Sequence, residues 1–267
     1  MGHELRWSGD IPWLRKSCLE DYSWCPWKFK HVWIDGVVQA PNRAMVVGTR
    51  FHDFAERFFD VCESVEPEHW EDLVPVDVLM PDEVEMWTWF VENERDRLYM
   101  LMDADRLEDF HPIAREFKME NLELHLESTC DRADWECKEL GIVSLIEYKT
   151  GEKVNDKSLL RQLAFYSLLW KETLGIGSVN VLKLINPRLK VCKEYELTTG
   201  AIKDVEKMIR EMRECIELGL YPRLCTENKF PYCRVCTPNE SNAFRFQDVP
   251  ISEVDDVTFE DCDWDGW

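Results

Sequence analysis

The fold of this chain is decided by the stretch IVSLIEYKTG, residues 142–151. Its first half is a short apolar run that predicts a buried strand, and Gly151 then breaks the chain. Because successive side chains of a strand point to opposite faces, Glu147 and Lys149 emerge side by side. An isolated pair of this kind is usually a surface ion pair, so the surrounding sequence must decide its role.

Two neighbouring segments are predicted to pair with this strand. Residues 113–119 and 122–126 alternate apolar with polar side chains, which predicts two further strands. Asp131 follows the second of them, and a hairpin would bring it beside Glu147 and Lys149. Two carboxylates in this position can hold Mg²⁺ or Mn²⁺ and leave room for water and a phosphate oxygen. Lys149 would then orient the water or stabilise charge that develops on the phosphate.

Helices are predicted on both sides of this hairpin. The apolar spacing of residues 45–62 predicts an amphipathic helix that carries His52, a candidate further metal ligand. A second helix, predicted over residues 158–172, holds Gln162 and Tyr166 one turn apart on the same face. The amide and the phenol can position a phosphate or the lysine side chain.

The other segments complete an α/β pattern. The remaining predictions are, in chain order, a short helix broken at Cys25-Pro26 within residues 17–33, mostly loop over 63–82, a helix over 83–109, strands over 179–185 and 191–197, and a helix over 201–218 that Gly219 ends. Helices therefore precede and follow the strands, and the predicted class is α/β.

The net charge of −21 argues against a polyanion as partner, since phosphate contacts come from lysine and arginine. The acids are concentrated, however: residues 60–94 hold twelve and residues 247–267 hold eight, with no lysine or arginine in either stretch. The rest of the chain is close to neutral. A local basic groove remains compatible with this total. Its candidate bases are Lys28, Lys30, Arg43, Arg50, Arg57, Lys183, Arg188, Lys190, Lys193 and those of the helix at residues 203–213. We interpret the last stretch as a disordered tail.

The membrane-targeting and secretion features of the sequence, together with its cysteine content, predict an intracellular, cytoplasmic protein. No run of about 18 apolar residues is present to span a bilayer. The first twenty residues carry charges among single apolar residues and lack the apolar stretch that secretion requires. Eleven cysteines in a reducing compartment make a disulfide framework unexpected and metal ligation a hypothesis to test.

The ordered motifs resemble the RecB-like branch of the PD-(D/E)XK nucleases. They are, in chain order, Gly48-x3-His52-x3-Glu56, Asp131-Arg132-Ala133-Asp134, Ile146-Glu147-Tyr148-Lys149-Thr150-Gly151 and Gln162-x3-Tyr166. The resemblance covers roughly residues 17–240. It implies an α/β, restriction-endonuclease-like core with a small mixed sheet flanked by helices, a helical insertion and a cysteine-bound cap.

The resemblance also implies roles for individual residues. Lys149 would be catalytic and Gln162 and Tyr166 would support it. Ser128 replaces the glycine that the family usually carries three residues before the first aspartate, and Asp134 is a rival for that aspartate's role. The metal ligands implied are His52, Asp131, Glu147 and the carbonyl of Tyr148.

The cysteines extend the resemblance to three groups of proteins: CRISPR-associated RecB-like exonucleases, the exonuclease V family and the AddB nuclease domain. These carry one cysteine near the start and three near the end, which bind an iron–sulfur cluster. Cys25 lies in the matching Cys-Pro-x-Lys-Phe context, and Cys233 and Cys236 follow Phe230-Pro231. The usual last cysteine would fall at Asn242, so Cys225 is its substitute. Four thiolates can hold a 4Fe-4S cluster or Zn²⁺, and both remain open.

The resemblance implies four parts of the chain. They are an N-terminal cap with the first cluster cysteine (1–44), a nuclease core (45–220) with a helical insertion at about 63–110, a cysteine segment (221–246) and the acidic tail (247–267).

Two classes of function follow. The first is a divalent-metal-dependent DNA exonuclease that acts on single strands or DNA ends, in CRISPR adaptation or in DNA repair and recombination. Aromatic residues of the cap would stack on bases. The second is a nuclease-fold binding module with little activity, whose acidic segments dock onto a basic partner such as an integrase.

Overall fold

The apolar run of residues 142–148 forms the central strand of a five-stranded sheet. The computed structural model describes residues 5–37, 42–173 and 175–222. The elements are β1 (Trp7–Ser8), β2 (Ile11–Pro12), α1 (Lys16–Trp24), α2 (Pro26–Phe29), a π-helical turn (Lys30–Ile34), α3 (Arg43–Val61), α4 (Pro81–Asp103), β3 (Ala114–Asn121), β4 (Leu126–Cys137), β5 (Ile142–Tyr148), α5 (Asp156–Thr173), β6 (Ser178–Asn186), β7 (Val191–Glu196) and α6 (Thr199–Leu218).

The sheet is mixed, as expected for this class. Its strands lie in the order β3-β4-β5-β6-β7. The pairs β3–β4, β4–β5 and β6–β7 are antiparallel, whereas β5 and β6 are parallel. Parallel neighbours need a long crossover connection, and α5 supplies it. The predicted α/β core with a small mixed sheet is confirmed.

Each face of the sheet has its own hydrophobic core because β5 is buried on both sides. Val143 and Leu145 belong to the cluster under α5 and α6. Ile146 and Tyr148 belong to the cluster under α3 and α4, where Phe54 stacks on Trp87. Alternate residues of one strand therefore hold two helical layers, and Glu147 lies between them at the strand's end.

The N-terminal segment is attached to the sheet and to α5. Leu14 pairs in parallel with Leu126 at the start of β4. The hydroxyl of Ser23 in α1 lies 2.5 Å from Nη1 of Arg161, which donates to it from α5. These contacts bring the first residue of α1 next to the end of β5.

The strand predicted over residues 122–126 is wrong. These residues connect β3 to β4: Leu122 and Leu124 are exposed, and Oδ1 of Asn121 accepts the N–H of Leu124 at 2.8 Å. An asparagine that bonds the backbone ahead of it favours a turn over a strand. The true strand runs from Leu126 to Cys137, so Asp131 lies within β4 and not after a strand.

The acidic stretch after α3, expected to be mostly loop, contains three short 3₁₀ helices: Cys62–Ser64, Pro67–Leu73 and Val76–Val78. Trp70 holds this stretch against α3, because its ring is buried on Phe58 and its Nε1 donates to the carbonyl of Cys62 at 3.0 Å. The helix predicted to begin at residue 83 begins at Pro81, where proline fits the first helical turn.

Several predictions lie outside the described residues. They are the disordered acidic tail (247–267), Cys225, Cys233 and Cys236, and the cysteine segment from residue 223 onward. Among the described helices, none combines the length and the apolar character needed to cross a membrane.

Gly177 is needed where β6 begins beside β5. Its φ is +59°, and a Cβ at this position would lie 2.7 Å from the carbonyl oxygen of Gly141. Gly175 has the same left-handed backbone, with φ +62°, but a Cβ there would meet nothing within 4 Å. The two glycines therefore form a matched pair for mutation.

We expect Gly177→Ala to destabilise the protein more than Gly175→Ala. Both variants incur the left-handed strain of about 1–2 kcal/mol, while overpacking at Gly177 adds roughly 1–3 kcal/mol. Urea unfolding followed by circular dichroism measures both free energies of unfolding. Equal losses in the two variants would contradict the close approach at Gly177.

Candidate active site

The end of β5 carries a buried carboxylate in contact with an exposed lysine. Glu147 is buried, and the Nζ of Lys149 donates a hydrogen bond to its carboxylate. The Lys149 side chain keeps 40 % of its surface exposed. The lysine can therefore reach a ligand in solution while remaining attached to Glu147.

Asp131 lies beside Glu147 because β4 and β5 are antiparallel neighbours. Its Oδ2 accepts the backbone N–H of Tyr148 at 2.7 Å. This bond fixes the carboxylate and leaves Oδ1 for other contacts. The three groups that the sequence predicted to meet, Asp131, Glu147 and Lys149, thus lie at one place in the sheet.

His52 and Glu116 complete a cluster of possible metal ligands with Asp131. Nδ1 of His52 lies 3.1 Å from Oε1 of Glu116 and 3.6 Å from Oδ1 of Asp131. One ligand atom from each of the three residues lies within 4.8 Å of the other two. One imidazole nitrogen and carboxylate oxygens are a donor set that fits a divalent cation.

Glu116 was not among the predicted site residues. In the sequence it is one acid in an alternating strand, a pattern that equally describes a solvated face. The structure gives it a φ of +39°, which a non-glycine residue rarely adopts. Backbone strain of this kind is concentrated at functional sites, but the sequence carries no signal for it.

A glycine positions the helix that carries His52. A Cβ at Gly48 would lie 3.3 Å from Oγ1 of Thr150, so α3 packs closely against the turn that follows Lys149. His52 is one helical turn further along and therefore faces Asp131. This contact gives a physical reason for the spacing Gly48-x3-His52.

Lys16 is a second lysine at Glu147 that sequence reasoning missed. Its Nζ lies 2.9 Å from Oε1 of Glu147. Burial alone would lower the pKa of Lys16, but the charges of Glu147 and Asp131 outweigh it and raise that pKa. Lys16 precedes β5 by more than a hundred residues, so only the docking of α1 reveals the contact.

Gln162 and Tyr166 support Glu147 from α5. The hydroxyl of Tyr166 lies 3.2 Å from Oε2 of Glu147 and 3.0 Å from the carbonyl oxygen of Thr129, and it donates its one hydrogen between these acceptors. Nε2 of Gln162 donates to this hydroxyl at 3.1 Å. Both side chains therefore orient the carboxylate.

The two acids of the site have opposite pKa shifts. Burial acts to raise the pKa of Glu147, but Lys149 and Lys16 outweigh it and hold that pKa well below its usual range. Burial and the neighbouring Glu147 charge raise the pKa of Asp131.

Burial acts to lower the pKa of His52, but Asp131 and Glu116 outweigh it and raise that pKa to about 9.

Asp134, the rival of Asp131, is engaged elsewhere. Its Oδ2 accepts Nη2 of Arg132 at 2.6 Å, and Nη1 of Arg132 donates to Glu94 of α4 at 2.7 Å and to the hydroxyl of Tyr148 at 3.1 Å. This buried network joins the sheet to α4. Asp134 lies in that network, whereas Asp131 faces His52.

The remaining predicted positions are only partly described. Tyr148, whose carbonyl was expected to bind metal, contacts the site through its N–H and packs its ring against Phe51 and His52. Cys25 is buried between α1 and α2. The other three cysteines of the expected set lie outside the described residues.

The sequence of residues 16–240 matches the family described as the PD-(D/E)XK nuclease superfamily. The chain belongs to this superfamily. Asp131 and the sequence Glu147-Tyr148-Lys149 agree with the acidic residue and the (D/E)XK part of the motif in the name, whereas Cys130 stands where the name has proline. Membership shows a nuclease fold and indicates nucleic acid as the substrate class.

One solved structure similar to this PD-(D/E)XK chain is the crystal structure, at 2.19 Å resolution, of the "Putative exonuclease" from Eubacterium rectale. The two sequences are 9 % identical, the match covers 92 % of this chain and 94 % of that chain, and the TM-score is 0.45. No curated protein matches the chain in sequence.

We expect Glu116→Gln to weaken the binding of Mn²⁺, since it removes one charged ligand while keeping the side chain's shape. Loss of even an outer contact to a metal ligand costs about 10–100-fold in affinity, so a loss of at least about 10-fold is expected here. Isothermal titration calorimetry measures it. Glu120→Gln, on the same strand, is the control. Equal affinities in the two variants would remove Glu116 from the ligand set.

Proposed function

We propose that the protein is a divalent-metal-dependent deoxyribonuclease that hydrolyses phosphodiester bonds. It acts as an exonuclease on single-stranded DNA or DNA ends, in CRISPR adaptation or in DNA repair and recombination. The observation that supports this best is the convergence of His52, Glu116 and Asp131 beside the Glu147–Lys149 contact. Membership in the PD-(D/E)XK superfamily supports the same chemistry.

In this proposal His52, Glu116 and Asp131 hold the cation, and Glu147 and the carbonyl of Tyr148 complete the ligand set. A bound divalent cation lowers the pKa of a coordinated water and neutralises charge on the phosphate. The imidazole favours Mn²⁺ over Mg²⁺, because Mg²⁺ binds mainly oxygen whereas nitrogen ligands suit transition metals.

Lys149 provides the positive charge at the phosphate. Its Nζ is attached to Glu147, and part of its side chain is open to solvent. A charge held in place before the substrate arrives needs no reorganisation during the reaction, which is where such groups contribute most. Lys149 therefore stabilises the negative charge that develops on the phosphate oxygens.

Three further residues keep Glu147 ionised and oriented: Lys16, Gln162 and Tyr166. A buried carboxylate without such partners would be neutral, because removing its charge from water costs on the order of several kcal/mol. The depressed pKa of Glu147 agrees with this role. We assign these three as positioning residues.

We further propose that Cys25, Cys225, Cys233 and Cys236 bind an iron–sulfur cluster of the 4Fe-4S type, with Zn²⁺ as the alternative. The support is the position of Tyr221, which lies next to the last described residue. The ring of Tyr221 lies 6.4 Å from the ring of Phe29, one turn after Cys25. The chain thus approaches Cys25 four residues before Cys225.

The alternative function, a binding module that docks its acidic segment onto a basic partner, has weaker support. Several acids of that segment are used within the protein: Asp82 pairs with Arg43 and Arg188, and Glu83 pairs with Arg50. These carboxylates are not available to a partner unless the ion pairs break.

We expect Lys149→Ala to lower the rate of Mn²⁺-dependent digestion of labelled single-stranded DNA by at least about 100-fold, the usual cost of removing one preorganised donor. Lys203→Ala, which removes an exposed lysine of α6, is the control and should digest DNA as the wild type does. Thermal unfolding shows whether both variants fold. Full activity in Lys149→Ala would exclude this lysine from catalysis, and an inactive wild type would favour the binding module.

We expect anaerobically purified protein to be brown and to contain iron. Cys25→Ser should lose that iron, whereas Cys18→Ser, at another buried cysteine of the same segment, should keep it. Elemental analysis measures iron and zinc per chain. A colourless preparation with zinc would replace the cluster by the zinc alternative, and a preparation with neither metal would refute the four-cysteine site.

A further inference from the structure

A pocket between α1 and α5 opens beside the candidate active site. Its volume is about 380 Å³, within the range of about 300–1,000 Å³ that sites for small organic ligands occupy. The residues that matter most among its lining are Lys16, Lys149, Lys153, Arg161, Gln162 and Trp24.

The pocket is basic although the protein is acidic. Its lining holds four bases and one acid, Glu20, in a chain whose net charge is −21. Two of the bases, Lys16 and Lys149, also pair with Glu147. Glu20 accepts a hydrogen bond from Ser158 at 3.3 Å. Within the described residues Lys153 and Arg161 take part in no salt bridge, so no described carboxylate neutralises their charges.

Three of the groove bases named from the sequence behave differently. Arg43 and Arg188 pair with Asp82, and Arg50 pairs with Glu83. Their charges are neutralised where α4 begins. Among the described residues, the pocket between α1 and α5 offers a cationic surface that these ion pairs do not neutralise, and the sequence did not reveal it.

The pocket is continuous with Glu147. Lys16 and Lys149 line it, and both donate to the Glu147 carboxylate. A ligand in the pocket thus touches the same two ammonium groups that hold this carboxylate. An anion bound there would lie next to the candidate active site.

A buried acceptor and an exposed aromatic ring complete the lining. Gln162 is only 2 % exposed, its Nε2 donates to Tyr166, and its Oε1 accepts no hydrogen bond within the described chain. Trp24 is 47 % exposed at the end of α1. A buried acceptor requires a donor, and an exposed indole offers a flat surface to a base.

We propose that this pocket binds one nucleotide of a single-stranded nucleic acid, the one adjacent to the bond that is cut. Its phosphate contacts Lys153 and Arg161, its base stacks on Trp24, and an N–H or O–H of the nucleotide donates to Oε1 of Gln162. The inference rests on the proposed nuclease function and adds to it a binding site for one nucleotide of the strand. Duplex DNA does not fit, because stacked neighbours cover the base faces that the indole requires.

The test measures binding without cleavage. Thymidine 5′-monophosphate, thymidine and inorganic phosphate are titrated into the full chain in EDTA by calorimetry. We expect the nucleotide to bind more tightly than thymidine or phosphate. Trp24→Ala should lower the affinities for thymidine and for its monophosphate by about 5-fold or more, the usual cost of losing one stacked base.

Removal of the basic side chains tests the phosphate contacts separately from the stacking of the base. Lys153→Ala, and its combination with Arg161→Ala, should weaken the binding of the monophosphate and of phosphate. The affinity for thymidine should not change. Lys153 is exposed, so the single variant folds even if the loss of the Arg161–Ser23 bond disturbs α1. The controls are Trp7→Ala, a tryptophan that is also 47 % exposed, and Lys203→Ala with Arg210→Ala on α6.

The outcomes separate this inference from the proposed function. Binding that depends on Trp24 and Lys153 supports the pocket, even if the Mn²⁺-loaded wild type leaves DNA intact and the nuclease proposal is wrong. If the wild type digests DNA while Trp24→Ala and Lys153→Ala bind the monophosphate as tightly as Trp7→Ala does, the pocket assignment is overturned. Equal affinity of a labelled oligonucleotide for the protein in single-stranded and duplex form would overturn the preference for single strands.

Discussion

The ionised state of Glu147 is the constraint on which the site depends. A carboxylate buried at the end of a central strand keeps its charge only if partners replace the water that it has lost. Here Lys16 comes from α1 and Tyr166 from α5, both distant in sequence, whereas Lys149 directly follows β5. Folding and the chemistry of the site are thus linked through one side chain.

Much of the fold was predictable because its signals are local. Helical spacing over residues 45–62 and a short apolar run at 142–147 depend on neighbours along the chain, and α3 and β5 are found at those places. The strand predicted over 122–126 failed because alternating leucines there lie in a turn that Asn121 closes. Hydrophobic alternation alone does not distinguish a strand from an exposed turn with the same spacing.

The candidate site was predictable only where a motif joins its residues. Glu147 and Lys149 are two residues apart, and strand geometry places them together. Lys16 and Glu116 contact the same site through tertiary packing, and nothing within their own segments indicates it. Total charge was similarly uninformative, since the basic pocket between α1 and α5 depends on which bases are paired and which are not.

The attachment of α1 also bears on how the protein opens. Lys16 is the first residue of α1, and Leu14 just before it pairs with the sheet. If the N-terminal segment detached by itself, Glu147 would lose one of its two ammonium partners while still buried by α5. Such a partly open state has a high free energy, so the segment should exchange its amide protons in the same cooperative event as the sheet.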